Sequence, residues 1–188
     1  MAYSAGSEQF PTAIKLLVAG GFGVGKTTFV GAVSEIDPMR TEEVITEASI
    51  GTDDLAGVGD KTTTTVAMDF GRITLDDGYI LYLFGTPGQE RFWFMWDEMS
   101  NGALGAVVLA DTRRLQDCFS AIDFFESRGT AFVVAVNEFE NSHRYSNDEV
   151  RSALDLKPNV PVVTCDARDT RSTMYVLVTL IQHLLSAA

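Results

Sequence analysis

A glycine-rich segment close to the N-terminus combines the residue types that bind phosphate. The segment is Gly20-Gly21-Phe22-Gly23-Val24-Gly25-Lys26-Thr27, which matches the pattern G-x-x-x-x-G-K-[ST] at every position. Its glycines allow positive φ angles and a close approach of the backbone, so successive N–H groups can surround an anion. Lys26 would add a positive charge between the β- and γ-phosphates, and the Thr27 hydroxyl would ligate Mg²⁺. We therefore predict a phosphate-binding loop that also includes Thr28.

The sequence on either side of this loop agrees with that prediction. Residues 14–19 are a short apolar run, typical of a buried strand, and residues 25–35 have a helical pattern. A helix that begins at the end of such a loop directs its N-terminal N–H groups and the positive end of its dipole toward the phosphates. Strand, loop and helix in this order predict a P-loop nucleotide-binding site.

A second motif comes directly after the predicted strand at residues 78–84. Residues 84–92 are FGTPGQERF, which resembles the switch II motif D-x-x-G-Q-E of Ras-like small GTPases. The resemblance implies that Gly88 brings a backbone N–H to the γ-phosphate and that Gln89 orients the attacking water. Residues 65–70 (T-x-x-x-D-F) resemble the loop-to-strand junction of Rab-type sequences, so Thr65 is the expected switch I threonine. Three neighbouring threonines remain alternatives to it: Thr62, Thr63 and Thr64.

Two further motifs follow the ends of later predicted strands. Asn137 and Glu140 stand in the place of the family's N-K-x-D motif, which implies that Asn137 braces the P-loop and that a carboxylate accepts hydrogen bonds from guanine. Asp166, Ala167 and Arg168 stand in the place of the S-A-K motif, whose backbone N–H meets the guanine O6. The carboxyl ends of strands are where an open α/β sheet binds its ligand. These residues therefore predict the base-binding side of the site.

The resemblance to Ras-like proteins covers residues 14–187. Within that superfamily the chain resembles the bacterial MglA-like GTPases, in particular the type associated with actinobacterial conservons, because T-P-G-Q replaces the usual start of switch II. The resemblance implies binding of GTP and GDP, Mg²⁺ held by Thr27 and Thr65, and slow hydrolysis in which Lys26, Thr65 and Gln89 act. It also implies protein partners at switch I and switch II, namely Roadblock/LC7-type regulators and other conservon components. Residues 91–96 are mostly aromatic and cannot all face one side of a helix, which favours an exposed partner surface.

Three positions depart from the Ras pattern. Gly85 stands where Ras proteins have the aspartate that holds the Mg²⁺ waters, and the candidate substitutes are Asp53, Asp54 and Asp111. Glu140 is one methylene longer than the family's aspartate, and Glu138 replaces the lysine that covers the base. These departures leave the choice between guanine and adenine, and the mode of Mg²⁺ binding, open.

Strand and helix patterns alternate along the chain. Strands are predicted at residues 14–19, 65–74, 78–84, 104–110, 130–136 and 160–164, and helices at residues 25–35, 90–99, 113–127, 147–154 and 170–185. Asp76, Asp77 and Gly78 predict a hairpin turn. We expect an α/β fold of the P-loop small GTPase type, with a mostly parallel six-stranded sheet, one antiparallel hairpin strand and helices on both faces. We expect one domain over residues 1–188, with a loose tail at 1–13 and a long functional loop at 36–64.

Composition excludes several classes of protein. The chain has 188 residues and a net charge of −12, which argues against a nucleic-acid binder. The acidic residues scattered through 35–60 would oppose docking on anionic lipid. Its 2 cysteines are too few for a disulfide framework, which favours a reducing compartment. Because the sequence has neither an apolar segment long enough to span a bilayer nor a lipidation motif, we expect a cytoplasmic protein that reaches a membrane only through a protein complex.

Three functions are compatible with these motifs. The main hypothesis is a GTP-binding molecular switch that slowly hydrolyses GTP. The alternative is a non-hydrolysing nucleotide-binding scaffold, which the departures at Gly85, Glu138 and Glu140 favour. A P-loop ATPase or small-molecule kinase ranks last, because residues 113–168 lack the arginine cluster expected of a lid over the transferred phosphate.

Overall fold

A six-stranded sheet forms the centre of the molecule. The computed structural model describes residues 11–37, 42–44, 63–65, 69–75, 78–140 and 142–187. The strands of this sheet are β1 (Thr12–Ala19), β4 (Asp69–Leu75), β5 (Tyr79–Gly85), β6 (Ala103–Ala110), β7 (Phe132–Asn137) and β8 (Val162–Cys165). Their order is β4-β5-β1-β6-β7-β8, and only the β4–β5 pair of this sheet is antiparallel. The predicted mostly parallel sheet with one antiparallel strand is confirmed.

Two short strands form a separate antiparallel pair. β2 (Glu42–Val44) pairs with β3 (Thr63–Thr65), so that the backbone of Thr65 lies opposite Glu42. Both strands fall in or beside the stretch predicted as a long loop, and most of that stretch, including Thr62, lies outside the described residues. β1 begins within the range predicted as a loose tail, since Thr12 already pairs with Tyr79 of β5, and the rest of that range up to residue 10 lies outside the described residues.

Helices cover both faces of the sheet. They are α1 (Lys26–Val33), α2 (Trp96–Ser100), α3 (Phe119–Arg128), α4 (Asn147–Ala153) and α5 (Thr170–Ala187). Two 3₁₀ helices precede α2 and α3, at Glu90–Met95 and Leu115–Cys118. Among the described residues, no helix is both long and apolar enough to cross a bilayer.

Alternate residues of β1 contribute to two separate cores. Leu16 and Val18 pack in the core formed with α1 and α5. Leu17 and Ala19 point to the opposite face and pack in the core formed with α2, α3 and α4. Because side chains alternate along a strand, one continuous apolar run buries both faces of the sheet. The carboxyl ends of the parallel strands therefore meet at one edge, which the loops to the helices cover.

Two predicted helices begin later than expected. The helix predicted at 113–127 begins at Phe119, because the Asp111 carboxylate accepts a hydrogen bond from the Arg113 N–H (2.9 Å) and Arg114 has an extended φ of −145°. Such a local side-chain bond offers the backbone an alternative to a helix. The helix predicted at 90–99 is a 3₁₀ helix up to Met95 and becomes α-helical at Trp96.

We predict that Phe125→Ala strongly destabilises the fold. The Phe125 side chain is 0% exposed and its ring packs against those of Phe124 and Phe132, at centroid distances of 5.3 and 6.2 Å. Truncation leaves a cavity and should lower the free energy of unfolding by about 3–5 kcal/mol, measured by urea denaturation. Phe94→Ala is the matched control, because Phe94 is 73% exposed and its truncation should change that free energy by less than about 0.5 kcal/mol. Equal effects at the two positions would contradict the assigned core.

Candidate nucleotide-binding site

The glycine-rich loop connects β1 to α1 at the carboxyl edge of the sheet. Gly20, Gly23 and Gly25 have positive φ angles of 135°, 73° and 106°. At Gly20 a Cβ would lie 2.4 Å from the backbone oxygen of Leu109, so both the backbone angle and the space require glycine. The loop therefore has the strand–loop–helix setting that the sequence predicted.

The last two residues of the motif begin α1, and their side chains contact the loop and the strand β4. Lys26 is 7% exposed, and its Nζ donates hydrogen bonds to the backbone oxygens of Gly20 (2.9 Å) and Gly21 (2.7 Å). The Thr27 hydroxyl donates to Asp69 Oδ2 on β4 (2.7 Å). The predicted phosphate-side charge and hydroxyl thus lie together at the N-terminus of α1.

The segment after β5 lies directly against this loop. A Cβ on Gly88 would come within 2.5 Å of Lys26 Nζ and 2.9 Å of the backbone nitrogen of Phe22. Gln89 is 2% exposed, and Trp96 Nε1 donates to the backbone oxygen of Pro87 (3.1 Å). The switch-like segment can approach the P-loop this closely because residue 88 is a glycine and has no side chain.

The side chain of Asn137 joins the P-loop to the base-side loop. Its Nδ2 donates to the backbone oxygen of Val24 (2.9 Å), and its Oδ1 accepts from the backbone nitrogen of Ala167 (3.0 Å). Asn137 is 5% exposed at the end of β7. A Cβ on Gly25 would lie 2.7 Å from Nδ2, so the bridge also requires a glycine in the loop. These contacts bring the two halves of the predicted site together.

A cavity of about 400 Å³ opens between these loops. Phosphate-side and base-side residues both line it, namely Gly23, Gly25, Thr28, Arg113, Asn137, Glu138, Phe139, Glu140, Asp166, Ala167 and Arg168. The volume lies in the range of small-molecule and cofactor sites. Part of the predicted P-loop and the predicted base-side residues are thus neighbours around one cavity, whereas Lys26, Thr27, Gly88 and Gln89 are not among the residues that line it.

Charged side chains surround the base side of the cavity. Arg168 donates from Nε and Nη2 to the two carboxylate oxygens of Asp166, both at 2.9 Å, and these hydrogen bonds hold the pKa of Asp166 below its usual range. The Arg168 guanidinium also lies 3.8 Å from Glu140 Oε1. Glu138 pairs with Arg144 instead, at 3.1 Å. The Glu140 side chain is 85% exposed, so its carboxylate lies at the mouth of the cavity.

Arginines that the motifs did not predict also line or support the site. The Arg113 guanidinium lies 4.0 Å from the centre of the Phe139 ring and donates to both carboxylate oxygens of Asp111. Burial raises the pKa of Asp111, but the hydrogen bonds from Arg113 outweigh it and hold the pKa below its usual range. Arg114, 8% exposed, donates to the backbone oxygen of Phe22 in the P-loop (2.9 Å). No sequence signal distinguishes these arginines, because their roles depend on the loop that delays α3.

Some predicted metal ligands are placed differently or not described. The Asp111 carboxylate accepts hydrogen bonds from the Arg113 guanidinium. The other two candidate acids, Asp53 and Asp54, lie outside the described residues. Only the backbone of Thr65 is described, in β3. Asp69, which the sequence did not assign to the site, is 1% exposed and bonded to Thr27. The hairpin turn could have indicated it, since counting back from the turn pairs Asp69 with Gly85.

We predict that Asn137→Ala loosens the site even without a ligand. The change leaves the Val24 oxygen and the Ala167 N–H unpaired at a buried position, which should lower the free energy of unfolding by about 1–3 kcal/mol. Asn147→Ala, at an exposed position, should change it by less than about 0.5 kcal/mol. Chemical denaturation of nucleotide-free protein measures both, and an undisturbed Asn137→Ala variant would show that the bridge adds no stability.

Two solved structures have the same fold as this chain. The FeoB G-domain from Methanococcus jannaschii has a TM-score of 0.61 and 14% identity, covering 92% of this chain and 98% of that one. The cytosolic domain of the T. maritima FeoB iron transporter, in a GDP form, has a TM-score of 0.64 and 14% identity, covering 93% of this chain and 64% of that one. At these identities the similarity establishes the fold alone, which is that of a P-loop GTPase domain.

Sequence comparisons identify the family. Uncharacterized protein MJ1339 of Methanocaldococcus jannaschii is 30% identical over 127 residues, which are 66% of this chain and 70% of the relative. The family described as "Conserved hypothetical ATP binding protein" matches residues 18–187, a range that includes the P-loop and both sides of the cavity. This chain is therefore a P-loop nucleotide-binding protein that belongs to the family of conserved hypothetical ATP binding proteins.

Proposed function

We propose that this protein is a GTP-binding molecular switch that slowly hydrolyses GTP to GDP. The observation that supports it most strongly is the Asn137 bridge, because it couples the phosphate-binding loop to the loop at residues 166–168 around a single cavity. A nucleotide bound there would contact phosphate-side and base-side residues at the same time. The MglA-like subgroup, with its conservon association, is part of this proposal.

The choice of guanine rests on the carboxylate at the base side. An ionised carboxylate only accepts hydrogen bonds, and guanine offers it two donors, the N1–H and the exocyclic amine. Adenine offers an acceptor at N1, which a carboxylate cannot satisfy. Glu140 lies at the cavity mouth, with the Arg168 guanidinium 3.8 Å from its Oε1. The GDP form of the T. maritima FeoB domain agrees with this choice, whereas the family description names ATP.

The phosphate-side residues fit a Mg²⁺–nucleotide complex. Within the described residues, no group of three or more His, Cys, Asp or Glu could hold a metal. In nucleotide sites Mg²⁺ is bound through few protein ligands together with the substrate phosphates and water. Thr27 would hold the ion with its hydroxyl, and the ion would neutralise charge on the phosphates. Lys26 would place its ammonium on the phosphates in exchange for its bonds to the loop carbonyls. Gly88 would donate its N–H to the γ-phosphate, and Gln89 would orient the attacking water.

The switch-like segment provides a route from nucleotide to partner. Gly88 lies against the P-loop, and the Pro87 backbone holds the Trp96 ring through its Nε1. Phe94 lies in the 3₁₀ helix between Gly88 and α2, and it is 73% exposed. A shift of the backbone at Gly88 when the γ-phosphate is lost would therefore move an exposed aromatic side chain. We propose Roadblock/LC7-type regulators as the partners at this surface, in a cytoplasmic or membrane-recruited complex.

Competition binding tests the proposed nucleotide. GTP and GDP should displace a fluorescent GDP at concentrations at least about 100-fold lower than ATP, because a site built around hydrogen bonds rejects a base that leaves them unmade. The displacement should need Mg²⁺ and weaken in EDTA. Lys26→Ala should abolish detectable nucleotide binding, since it removes the ammonium group that would contact the phosphates.

Glu140→Ala is the matched variant for base recognition. It should weaken GDP binding while leaving ATP binding unchanged, because only guanine offers this carboxylate adjacent N1–H and amine donors. Equal displacement by ATP and GTP in the unaltered protein would reject the guanine assignment in favour of an ATP-binding protein. Tight binding by the Lys26→Ala variant would reject the P-loop assignment itself.

Gln89→Leu separates a switch that hydrolyses GTP from a scaffold that only binds it. The substitution removes the group proposed to orient water and keeps a similar volume at a position that is 2% exposed. Single-turnover GTP hydrolysis should slow about 100-fold or more with the GTP affinity unchanged. Unchanged turnover would remove Gln89 from the mechanism, and no turnover in the unaltered protein, with or without a Roadblock-type partner, would favour the scaffold.

A further inference from the structure

The Arg113 side chain forms part of the wall of the cavity. Phe139 is the one aromatic residue among the described residues that line this cavity, and the Arg113 guanidinium carbon lies 4.0 Å from the centre of its ring. A guanidinium is planar, and it stacks on aromatic rings while its charge is attracted by their negative faces. The cavity wall therefore contains a planar cation that an aromatic ring supports.

The Asp111 carboxylate fixes the Arg113 guanidinium in this position. Arg113 donates from Nε to Asp111 Oδ1 (3.0 Å) and from Nη2 to Asp111 Oδ2 (2.7 Å), and its backbone N–H donates to Oδ1 (2.9 Å). The Asp111 side chain is 3% exposed, so water competes little for these bonds. Two parallel bonds determine the plane of a guanidinium as well as its place. The group is thus fixed before a ligand binds, and little side-chain entropy remains to be lost on binding.

The other cation among the described lining residues, Arg168, is held less firmly. Its guanidinium pairs with Asp166 and lies 3.8 Å from Glu140, so two carboxylates share its charge. The Arg168 side chain is 62% exposed, whereas that of Arg113 is 30% exposed. Arg113 is therefore the more rigid and the more buried cation of the wall, and it is the one that has an aromatic ring behind it.

We propose that Arg113 is a base-binding residue, whose guanidinium stacks on the purine of the bound nucleotide while Phe139 supports it. Every nucleobase has a π-face, so this contact adds affinity without a choice between guanine and adenine. The choice of base stays with the proposed contact at Glu140, whose carboxylate meets the edge of the base rather than its face. This inference rests on the proposed function, since a nucleotide must occupy the cavity.

The test separates the base from the rest of the nucleotide. GDP, ADP and ribose 5-diphosphate, which has the sugar and phosphates of GDP but no base, each displace a fluorescent GDP in the presence of Mg²⁺. Arg113→Gln should weaken GDP and ADP by the same factor, about 10–100-fold, because both lose a stacking partner. Binding of ribose 5-diphosphate should stay unchanged. A contact of Arg113 with the phosphates would instead weaken all three ligands.

The ratio of GDP to ADP affinity distinguishes a stacking contact from damage to the loop. If Arg113 only held the base-side loop in place, its removal would also displace Glu140, and the preference for GDP over ADP would fall. A stacking residue leaves that preference unchanged while both affinities drop. Loss of the preference in Arg113→Gln would therefore overturn the proposal.

A double variant removes the buried charge that Arg113→Gln leaves behind. Without the guanidinium, the Asp111 carboxylate has no cation at a position that is 3% exposed, which destabilises the fold. Asp111→Asn/Arg113→Gln replaces both members of the pair, and the two amides can still form a hydrogen bond. The double variant should fold and show the same loss of GDP and ADP affinity with ribose 5-diphosphate unchanged. GDP affinity equal to that of the unaltered protein would overturn the proposal.

Arg144→Gln is the matched control. Arg144 forms an ion pair with Glu138 at 3.1 Å, close to the cavity, but it is not among the described residues that line it. Its side chain is 79% exposed, so its removal should change the affinity for each ligand by less than about 3-fold. An equal loss of GDP affinity in Arg144→Gln and Arg113→Gln would overturn the proposal, because the effect would then come from positive charge near the cavity in general.

The outcomes for Arg113 and for the nucleotide can be told apart. If ATP and ADP bind as tightly as GTP and GDP to the unaltered protein, the proposed function fails, and the comparison of ADP with ribose 5-diphosphate still tests Arg113. If the protein prefers guanine nucleotides but both Arg113 variants bind GDP as the unaltered protein does, the Arg113 proposal fails and the function stands.

Discussion

The two hydrogen bonds of the Asn137 side chain hold together loops that are far apart in the sequence. Its amide nitrogen satisfies the Val24 oxygen and its carbonyl oxygen satisfies the Ala167 N–H, at a position 5% exposed. A buried backbone group left unpaired costs about 1–3 kcal/mol, so either loop loses stability if it moves away. Asn137 is itself fixed because β7 is buried along its whole length between β6 and β8. The rigid sheet thereby determines the separation of phosphate and base sites.

The β4–β5 hairpin illustrates how register, rather than sequence position, determines what a site contains. A carboxylate is absent at position 85 but present directly across the ladder at Asp69, with its oxygen on the Thr27 hydroxyl. Each carboxylate position excludes the other, because a Cβ at residue 85 would meet Asp69 at 3.0 Å or less. Position 85 therefore has no room for a side chain beside Asp69 of the neighbouring strand. A glycine at position 85 is compatible with the proposed metal–nucleotide complex.

Charge and packing divide the site into a fixed and an adaptable part. Two contacts support the P-loop. The Arg114 guanidinium donates a hydrogen bond to the backbone oxygen of Phe22, and Gly88 packs closely against the loop backbone. The base side depends instead on exposed charged groups, such as the Arg168–Asp166 pair and Glu140 beside it. Exposed ion pairs contribute little to stability and rearrange at low cost. In the proposed complex, specificity for the base would therefore depend on groups that a ligand can reorient, whereas phosphate binding would depend on a preformed loop.

The sequence by itself determined the sheet, the P-loop and the order of the motifs. Continuous apolar runs predicted the buried strands β6 and β7, and the glycine pattern predicted the loop at Gly20–Thr27, because both signals are local and each residue type has a direct conformational cause. Only the tertiary structure decided the delayed start of α3, where Asp111 holds Arg113, and the contact between Asp69 and Thr27. The contact between Asp69 and Thr27 depends on groups brought together by strand pairing, 42 residues apart in the sequence. The bond between Asp111 and Arg113 is local, but the apolar pattern of the segment also fits a helix, and only the folded structure decided between the two. Burial of Gln89 likewise follows from the packing of the segment after β5 against the P-loop.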